Sequence, residues 1–425
     1  MSELTNSFKQ KIKKNAITKP LYLKLKEKKI KKLFKPEDIR KIYPVVDDSK
    51  SIRINLILPL FREYMIYAGV TTALTVFEKI TKEKKYDCRI IITGPEKYNK
   101  SLTYRYKDFS HESNCKNMLY FLEEDDKLLV RKNDYFIFTD WQTAYSGLEV
   151  IDWQIKEYNL DERKYIYLIQ DYEPGFYSWS TPYIMADATY KIMNNNAIAV
   201  FNSKELYDFF KNNKYAFGKE FYFEPGLNNK LKQFLINNQN ECSRDKAIII
   251  YGRPNSDRNA FTLIINALKI WSSSYKNASE WKIYSLGDQF ETIIIENNKI
   301  EAMGKLTLDE YASIMLKAYV GISLMISPHP SYPPLEMSTF GVEVITNSFA
   351  NKDLTDFSSK IHNIKVVTPQ IISDKLSEIC DSYVKKEQKI QYNDKYVFSS
   401  SLESTMKELS DYFNNYIEGE TYNDK

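Results

Sequence analysis

The chain has 425 residues, of which 43% are hydrophobic and 14% aromatic, so it is long enough for two domains and too apolar to be globally disordered. The 60 Lys and Arg residues barely exceed the 56 Asp and Glu residues, and this net charge of +4 argues against a dedicated nucleic-acid binder. No apolar run approaches the ~20 residues of a membrane-spanning helix. With only 3 His and 4 widely spaced Cys residues, we expect reduced thiols and no metal cluster.

Residues 1–50 are the first segment, a basic leader whose lysines are concentrated between residues 9 and 35. Leu and Ile side chains are interleaved with these lysines. The segment therefore either lies on an anionic membrane surface as a basic amphipathic helix or remains a solvated leader. It lacks the hydrophobic region of a signal peptide, so we expect a cytoplasmic protein, either free or peripheral at the inner face of the cell membrane.

Residues 51–235 alternate between short apolar runs and helical patterns, which predicts a first Rossmann-like α/β domain. Uniformly apolar runs are typical of parallel strands covered on both faces. The predicted strands are residues 52–58, 88–93, 135–139, 165–169 and 197–201. The predicted helices are residues 68–82, 183–193 and 202–211.

Residues 236–400 repeat this alternation and predict a second Rossmann-like domain that faces the first across a cleft. The asparagine-rich stretch at residues 228–246 is interpreted as the linker between them. The predicted strands of the second domain are residues 247–251, 281–285, 319–326, 342–346 and 363–367. The last segment, residues 401–425, contains a helix with no strand after it, and we expect this helix to cross back to the first domain.

Ligands of doubly wound sheets bind beyond the carboxyl ends of the strands, so the loops after strands are where functional residues are expected. In "YGRPNSDRN", Gly252 permits a tight turn, and Arg253 and Arg258 stand at the junction with the next helix. Two guanidinium groups beside a helix N-terminus suit a diphosphate. The alternative is that both arginines are surface residues paired with Asp257 or with solvent.

The stretch "AMGKLTLDEYA" places Lys305 just before a predicted helix. Thr307 is expected to cap this helix, with Glu310 at the capping-box position. Lys305 is either a further phosphate contact, a residue beside the base, or an ordinary loop lysine.

The stretch "SPHPSYPPLEMSTFGVEVITN" crowds prolines in front of a short helix. Rigid prolines lower the entropic cost of holding Ser331 and Tyr332, whose N–H and hydroxyl groups could meet a phosphate at the positive end of the helix. Glu336 either accepts hydrogen bonds from ribose hydroxyls or interacts favourably with the helix dipole. His329 is either a phosphate donor or a loop histidine.

The stretch "QDYEPGFYSWS" places Asp171 and Glu173 at the carboxyl end of a first-domain strand, among aromatic residues that include Tyr172 and Trp179. Aromatic rings beside carboxylates suit an acceptor sugar, because pyranose C–H faces stack on rings while acids bind hydroxyls. The alternative is a loop closed by a Pro-Gly turn. The stretch "FREYMIYAGV" follows the first strand, and its Gly69 is expected to let the donor approach the backbone.

Taken together, "GRPNSDRN", "GKLTLDEYA" and "SPHPSYPPLEMSTFGVEVITN" resemble the nucleotide-binding half of glycosyltransferase family 4, of the GT-B type. The resemblance is closest to the WsaF-like rhamnosyltransferases of bacterial surface-layer glycan assembly, and it spans residues 52–357. It implies transfer of L-rhamnose from dTDP-L-rhamnose to a hydroxyl of a glycan or lipid-linked glycan, with retention at the anomeric carbon and without a cofactor or metal. The alternatives are another nucleotide sugar or a non-catalytic glycan-binding protein.

The resemblance also implies roles for individual residues. Arg253 and Arg258 would bind the diphosphate, Lys305 would add a donor contact and Glu336 would bind the ribose. Asp171 would be catalytic, either by activating or orienting the acceptor or by stabilising positive charge at the anomeric carbon.

Ordinary members of glycosyltransferase family 4 carry two glutamates separated by seven residues in the loop before the short helix. Glu336 matches the second, whereas Pro328 stands at the position of the first. The WsaF-like subgroup shares this departure, so the sugar preference of ordinary members cannot be transferred. A nicotinamide-dependent dehydrogenase is disfavoured, because no G-x-G-x-x-G motif follows a predicted first strand.

Overall fold

The computed structural model of the chain describes residues 39–59, 68–82, 84, 86–94, 119–123, 125–238, 243–385 and 390–423. The expectations for the basic leader up to residue 38 and for the loop at residues 60–67 lie outside the described residues. Within the described residues, the chain forms two seven-stranded sheets and one two-stranded sheet, with helices on the faces of the two large sheets.

The strands of the first half are β1 (Tyr43–Asp47), β2 (Arg53–Leu58), β3 (Asp87–Ile92), β4 (Leu119–Phe121), β5 (Lys127–Arg131), β6 (Asp134–Phe138), β7 (Tyr165–Ile169), β8 (Ala197–Phe201) and β9 (Lys219–Tyr222). Those of the second half are β10 (Asp245–Gly252), β11 (Lys282–Gly287), β12 (Ile293–Ile295), β13 (Asn298–Gly304), β14 (Ala318–Ile322), β15 (Glu343–Asn347) and β16 (Ile361–Ile364).

The helices are α1 (Ala68–Thr81), α2 (Trp141–Glu157), α3 (Thr181–Thr189), α4 (Lys204–Asn212), α5 (Asn229–Asn238), α6 (Phe261–Ser274), α7 (Leu308–Lys317), α8 (Tyr332–Thr339), α9 (Pro369–Asp381), α10 (Asp394–Val397) and α11 (Ser401–Asn423). Short 3₁₀ turns at Glu173–Phe176 and Asp257–Asn259 follow β7 and β10.

The first large sheet has the strand order β4-β3-β2-β6-β7-β8-β9, and its neighbouring strands pair in parallel. Every residue of β6, β7 and β8 is buried. Alternate side chains enter opposite cores: Ile166 and Leu168 pack on one face, and Tyr165 and Tyr167 pack on the other. The uniformly apolar runs therefore form strands covered on both faces, as the sequence predicted.

The second large sheet has the strand order β12-β13-β11-β10-β14-β15-β16. Its pairs are parallel except for β12 with β13. The central strand β10 lies between β11 and β14, and the order of the chain reverses there. In doubly wound sheets, this switch point is where ligands bind beyond the carboxyl ends of the strands.

One predicted strand ends early because a side chain takes the place of the hydrogen bonds between strands. The strand predicted at residues 319–326 ends at Ile322. Beyond it, the Asn347 side chain accepts a hydrogen bond from Met325 N at 2.7 Å and donates one to Met325 O at 3.1 Å. Short or edge strands that the sequence did not reveal are β1, β4, β5, β9, β12 and β13.

The predicted linker at residues 228–246 is wrong for its first part, which is the helix α5. Leu231 and Leu235 stand four residues apart and form a buried stripe against Ala312 and Met315 of α7. The asparagine-rich composition hid this stripe. The range of the basic leader, residues 1–50, is also too long. Its residues Tyr43–Asp47 form the strand β1, which pairs in parallel with β5.

The last helix, α11, returns to the first half, as expected. Leu409, Phe413 and Ile417 are fully buried in the core beneath the first sheet. The ring of Phe413 meets that of Tyr135 edge-on at 5.6 Å between centroids. Among the helices that the structure describes, none has the length and apolar character needed to cross a membrane.

We expect Leu409→Ala to lower the free energy of unfolding by about 2–5 kcal/mol, because it leaves a cavity between α11 and the first sheet. Urea denaturation followed by circular dichroism measures the change. The matched control is Lys407→Ala, an exposed position on the same helix, which should change stability by less than about 0.5 kcal/mol. Equal stability of the two variants would mean that α11 does not contribute to this core.

Candidate active site

Three glycines end neighbouring strands at the carboxyl edge of the second sheet. Gly252 pairs with Gly287, and Gly304 stands opposite Leu286 in the same sheet. A Cβ atom on Gly252 would lie 2.0 Å from Ser285 Oγ. Glycine is therefore required at this position by the close approach of a neighbouring strand, and the tight-turn interpretation of Gly252 is corrected.

Arg253 and Lys305 directly follow two of these strand ends, so both lie at the same edge of the sheet. Arg253 Nε is 3.6 Å from Asp288 Oδ1, and the Arg253 side chain is 26% exposed. Lys305 is exposed and precedes α7, whose predicted cap is confirmed: Thr307 and Glu310 form a capping box. The edge thus presents two cations to an incoming ligand.

Arg258 lies on the 3₁₀ turn after β10 and reaches the first domain. Its guanidinium group lies over the ring of Phe176, 4.1 Å from the ring centroid. Its Nη1 donates to Asp171 Oδ2 at 3.3 Å. Its Nε is buried and has no hydrogen-bond partner among the described residues. The sequence alternative of pairing with Asp257 is therefore replaced by a partner from the other domain.

Asp171 directly follows β7 and is held from both sides of the cleft. Oδ1 accepts a short hydrogen bond from Ser327 Oγ and one from Tyr172 N at 2.8 Å, while Oδ2 accepts from Arg258. The Asp171 side chain is only 13% exposed. The structure thus brings the predicted catalytic residue of the first domain against the predicted diphosphate residue of the second. Sequence reasoning missed Ser327, although it lies at the start of the proline-rich loop.

The loop between Ser327 and Ser331 is fixed by its own hydrogen bonds. His329 N donates to Ser327 Oγ at 3.0 Å, and Ser331 N donates to His329 Nδ1 at 3.0 Å. Ser331 has φ +69°, a left-handed conformation that costs a non-glycine residue about 1–3 kcal/mol. Backbone strain of this kind, at a residue other than glycine, is often found at ligand sites.

The N-terminus of α8 offers fewer N–H donors than the sequence suggested. Ser331 N is already bonded to His329, and Pro333 and Pro334 have no N–H group. The prediction that the Ser331 N–H meets a phosphate is therefore corrected. The prolines stiffen the first turn of α8 but remove two of the donors that a helix terminus would otherwise present.

Glu336 lies on α8 beside the phenol groups of Tyr311 and Tyr332. Burial raises the pKa of Glu336 from its ordinary value of 4.5 to about 7, and the Tyr311 hydroxyl partly opposes this shift. Burial and the nearby Glu336 carboxylate raise the pKa of Tyr332 to about 12. Glu336 is therefore a carboxyl group close to the point of ionisation at neutral pH, surrounded by phenols that can donate hydrogen bonds.

Lys352 is a further buried cation that sequence reasoning missed. It is 1% exposed, and its Nζ donates to Met325 O at 2.7 Å. Burial lowers its pKa to about 8, while the carboxylates of Asp171 and Glu205 act in the opposite direction. Lys352 follows β15, so a search of the loops after each strand would have found it.

Glu173 is buried rather than displayed to an acceptor, which corrects its predicted role. It is 9% exposed, and its Oε2 accepts a hydrogen bond from Trp141 N at 2.6 Å, at the start of α2. Burial raises the pKa of Glu173 well above its ordinary value, and the nearby Asp140 carboxylate adds to this effect. Glu173 therefore ties the Asp171 loop to α2 instead of binding sugar hydroxyls.

The remaining first-domain residues divide into packed and exposed ones. The Tyr172 hydroxyl is 3.0 Å from that of Tyr215, and its ring packs in an aromatic cluster, so Tyr172 is partly buried. Trp179 is 93% exposed and stacks on Tyr183 at 5.5 Å between ring centroids. Trp179 is thus the most exposed aromatic residue of this loop, since Phe176, the other exposed one, lies under the Arg258 guanidinium group.

Gly69 lies at the start of α1 and holds the residue before Asp171. Its carbonyl oxygen accepts a hydrogen bond from Gln170 Nε2 at 3.1 Å. A Cβ atom on Gly69 would lie 3.3 Å from Gln170 Oε1. The close approach at Gly69 is therefore made by a neighbouring side chain. In the described parts of the chain, no three His, Cys, Asp or Glu side chains are grouped to hold a metal ion.

Comparison with known protein families finds two matches that together span more than half of the chain. The model described as the N-terminal domain of WsaF matches residues 53–204, and that described as the C-terminal domain of WsaF matches residues 246–377. The chain belongs to the WsaF family. The family resemblance read from the sequence is thereby confirmed, and the two matched ranges contain Asp171 and the cations of the second sheet.

Solved structures show the same fold at low identity. HepE from Anabaena, solved with UDP and glucose, has a TM-score of 0.52 and is 9% identical, with 84% of this chain and 94% of that chain covered. TarM has a TM-score of 0.51 and is 8% identical, with 79% of this chain and 92% of that chain covered. The predicted two-domain GT-B architecture is therefore confirmed.

One curated relative from Myxococcus xanthus, named as the O-antigen biosynthesis protein RfbC, is 27% identical over 224 residues. The match covers 52% of this chain but only 16% of that protein. The chain therefore spans a small part of the length of this relative.

We expect the stability of the wild type to fall as the pH rises from about 4.5 to about 7, because the folded state holds the Glu336 proton more tightly than the unfolded chain does. Glu336→Gln removes this dependence. The difference between the two proteins in free energy of unfolding should change by about 1–3 kcal/mol between pH 4.5 and pH 8, as measured by urea denaturation. Glu403→Gln, an exposed position on α11, should follow the wild type; parallel curves for Glu336→Gln and the wild type would contradict the shift.

Proposed function

We propose that the protein is a glycosyltransferase that acts in the assembly of bacterial surface glycans. Its proposed donor is dTDP-L-rhamnose, and its acceptor is a hydroxyl of a glycan or lipid-linked glycan. The observation that carries this proposal is the contact of Arg258 and Ser327 with Asp171 across the cleft, which joins a diphosphate site to an acceptor-side carboxylate. The match to both domains of WsaF supports it, as do the similarities to the O-antigen biosynthesis protein RfbC and to HepE, which was solved with UDP and glucose.

The donor is held by the second domain. Arg253, Arg258 and Lys305 neutralise the diphosphate, and Glu336 accepts hydrogen bonds from the ribose. Since the prolines of α8 remove N–H donors, most of the phosphate stabilisation comes from the guanidinium groups. This stabilisation grows as negative charge develops on the leaving diphosphate, so it lowers the barrier to reaction.

The acceptor is held by the first domain, near Asp171. Its hydroxyl oxygen forms a bond to the anomeric carbon, the bond from that carbon to the diphosphate oxygen breaks, and the hydroxyl proton is lost. A diphosphate bound at Arg258 competes with Asp171 for the guanidinium group. Donor binding therefore frees Asp171 Oδ2 to orient the acceptor hydroxyl or to receive its proton. Retention of configuration and independence from metals remain expectations from the family resemblance.

Rhamnose is proposed because Pro328 stands where ordinary members of glycosyltransferase family 4 carry a sugar-binding glutamate. A 6-deoxy sugar has one hydroxyl fewer to be held, which is compatible with the loss of that carboxylate. The exposed ring of Trp179, stacked on Tyr183, suits the C–H face of an acceptor sugar. The same ring would also serve a protein that binds glycans without catalysis, which is the competing function.

We expect the purified protein to release dTDP from dTDP-L-rhamnose when a rhamnose-rich glycan acceptor is added, and Asp171→Asn to reduce turnover about 100-fold or more. Binding of dTDP to Asp171→Asn should not be weakened, because the substitution removes a competitor for Arg258. Coupled detection of dTDP gives turnover, and calorimetry gives affinity.

The matched control is Asp152→Asn, an exposed position on α2, which should retain full activity. Full activity of Asp171→Asn would end its catalytic role. If the wild type binds the glycan but releases nothing from any dTDP- or UDP-sugar, the non-catalytic glycan-binding function is correct instead.

We also propose that the protein works in the cytoplasm at the inner face of the membrane, held there by the basic leader. We expect the full chain to co-sediment with vesicles containing about one-third anionic lipid, and the charge-reversed variant Lys28→Glu, Lys29→Glu, Lys31→Glu, Lys32→Glu to bind them at least several-fold less, since each cation near such a surface contributes about 1 kcal/mol. Neutral vesicles are the control. Equal binding of both proteins to anionic vesicles would contradict the membrane role of the leader and favour the solvated alternative.

A further inference from the structure

His329 is held in a single orientation within the proline-rich loop. It is 6% exposed, and its backbone N–H donates to Ser327 Oγ at 3.0 Å. Its ring nitrogen Nδ1 accepts the N–H of Ser331 at 3.0 Å. The strained φ of +69° at Ser331 is the conformation in which this last contact is made. The loop therefore adopts a strained backbone conformation that fixes the ring of His329, a residue outside the hydrophobic core clusters.

The other ring nitrogen of His329 is a buried donor that has no partner in the part of the chain that the structure describes. Because Nδ1 accepts a hydrogen bond, the ring hydrogen of the neutral imidazole is on Nε2. Nε2 is buried and has no hydrogen-bond partner among the described residues. Burial lowers the pKa of His329 to about 4, against the opposing effect of Asp171, so the ring is neutral at physiological pH. A donor that is buried without a partner destabilises the folded state, and it calls for an explanation such as a ligand atom.

His329 is linked to Asp171 through Ser327. Ser327 Oγ accepts from His329 N and donates to Asp171, so two hydrogen bonds connect His329 to the acceptor-side carboxylate. A second buried donor without a partner among the described residues, Arg258 Nε, belongs to the residue that bonds the other Asp171 oxygen. Both donors thus belong to second-domain residues that are linked to Asp171 by hydrogen bonds. The charged one suits a phosphate, whereas the neutral one suits an uncharged oxygen of the sugar.

We propose that His329 is a specificity-determining residue whose Nε2–H donates a hydrogen bond to an oxygen of the sugar that is transferred. This inference rests on the proposed function, because it requires a nucleotide-sugar donor in the second domain. It assigns the recognition of the sugar to the residue next to Pro328, by a neutral donor in place of a carboxylate acceptor. A neutral donor at His329 Nε2 selects a sugar that has an oxygen within hydrogen-bond distance of it. It does not contribute to binding of the diphosphate.

The test compares dTDP and dTDP-L-rhamnose as calorimetric ligands of the full chain. His329→Asn keeps an acceptor at the position of Nδ1 for Ser331 N but has no atom at Nε2. His329→Gln places an N–H donor near the position of Nε2. We expect His329→Asn to weaken binding of dTDP-L-rhamnose about threefold to tenfold while dTDP binding changes by less than about twofold. His329→Gln should recover part of the loss.

The matched control is His362→Asn, on β16, where His362 Nε2 lies 2.8 Å from Glu343 Oε2; both affinities should remain unchanged. Thermal melts of each variant show whether the fold is kept. An equal loss for dTDP and dTDP-L-rhamnose in His329→Asn would place the ring on the phosphate and overturn the inference. Unchanged binding of both would overturn it as well. If the wild type binds dTDP but no dTDP-sugar, the proposed donor fails, and that failure is visible before any variant is made.

Discussion

The hydrogen bonds that Ser327 and Arg258 donate to Asp171 are the interaction on which the rest of the site depends. One carboxylate from the first domain accepts hydrogen bonds from Ser327 and Arg258 of the second, so the two Rossmann-like halves meet at the residue that is proposed to act on the acceptor. The contact is electrostatic and only partly buried, and the proposed diphosphate would compete for the same guanidinium group. In the proposed function, binding of the donor and release of the carboxylate are therefore coupled through a single side chain, Arg258.

The proline-rich loop fixes the position of Ser327, which is one of the two donors to Asp171. Ser327, His329 and Ser331 are linked by hydrogen bonds that leave little freedom between the end of β14 and the start of α8. Prolines at the first turn of α8 reduce the conformational entropy that the loop loses on folding, but they also remove backbone donors. The loop is thus better suited to positioning side chains than to binding phosphate through its backbone, and recognition of charge passes to the arginines.

Burial decides the chemical state of the polar groups around the cleft. Burial at the start of α2 raises the pKa of Glu173 well above its ordinary value, whereas burial raises the pKa of Glu336 to about 7. Arg258 donates a hydrogen bond to Asp171, and the Asp171 carboxylate also acts on the buried Lys352. Carboxyl groups that look alike in the sequence therefore lie in three different settings: Glu173 bonds the start of α2, Glu336 is proposed to bind the ribose, and Asp171 is proposed to catalyse.

The sequence by itself determined the elements whose signals are local. Apolar runs predicted β7 and β8 at their observed residues, Thr307 and Glu310 predicted the start of α7, and the joint motifs predicted the family and the GT-B fold. It misjudged α5, because two leucines in an asparagine-rich stretch are a weak pattern until α7 covers them. Only the tertiary structure decided that Glu173 is buried, that Arg258 pairs with Asp171 instead of Asp257, and that the buried Nε2 of His329 has no partner among the described residues. Each of these depends on which loops meet across the cleft, and residues brought together from distances of 87 and 156 positions along the chain leave no local pattern to read.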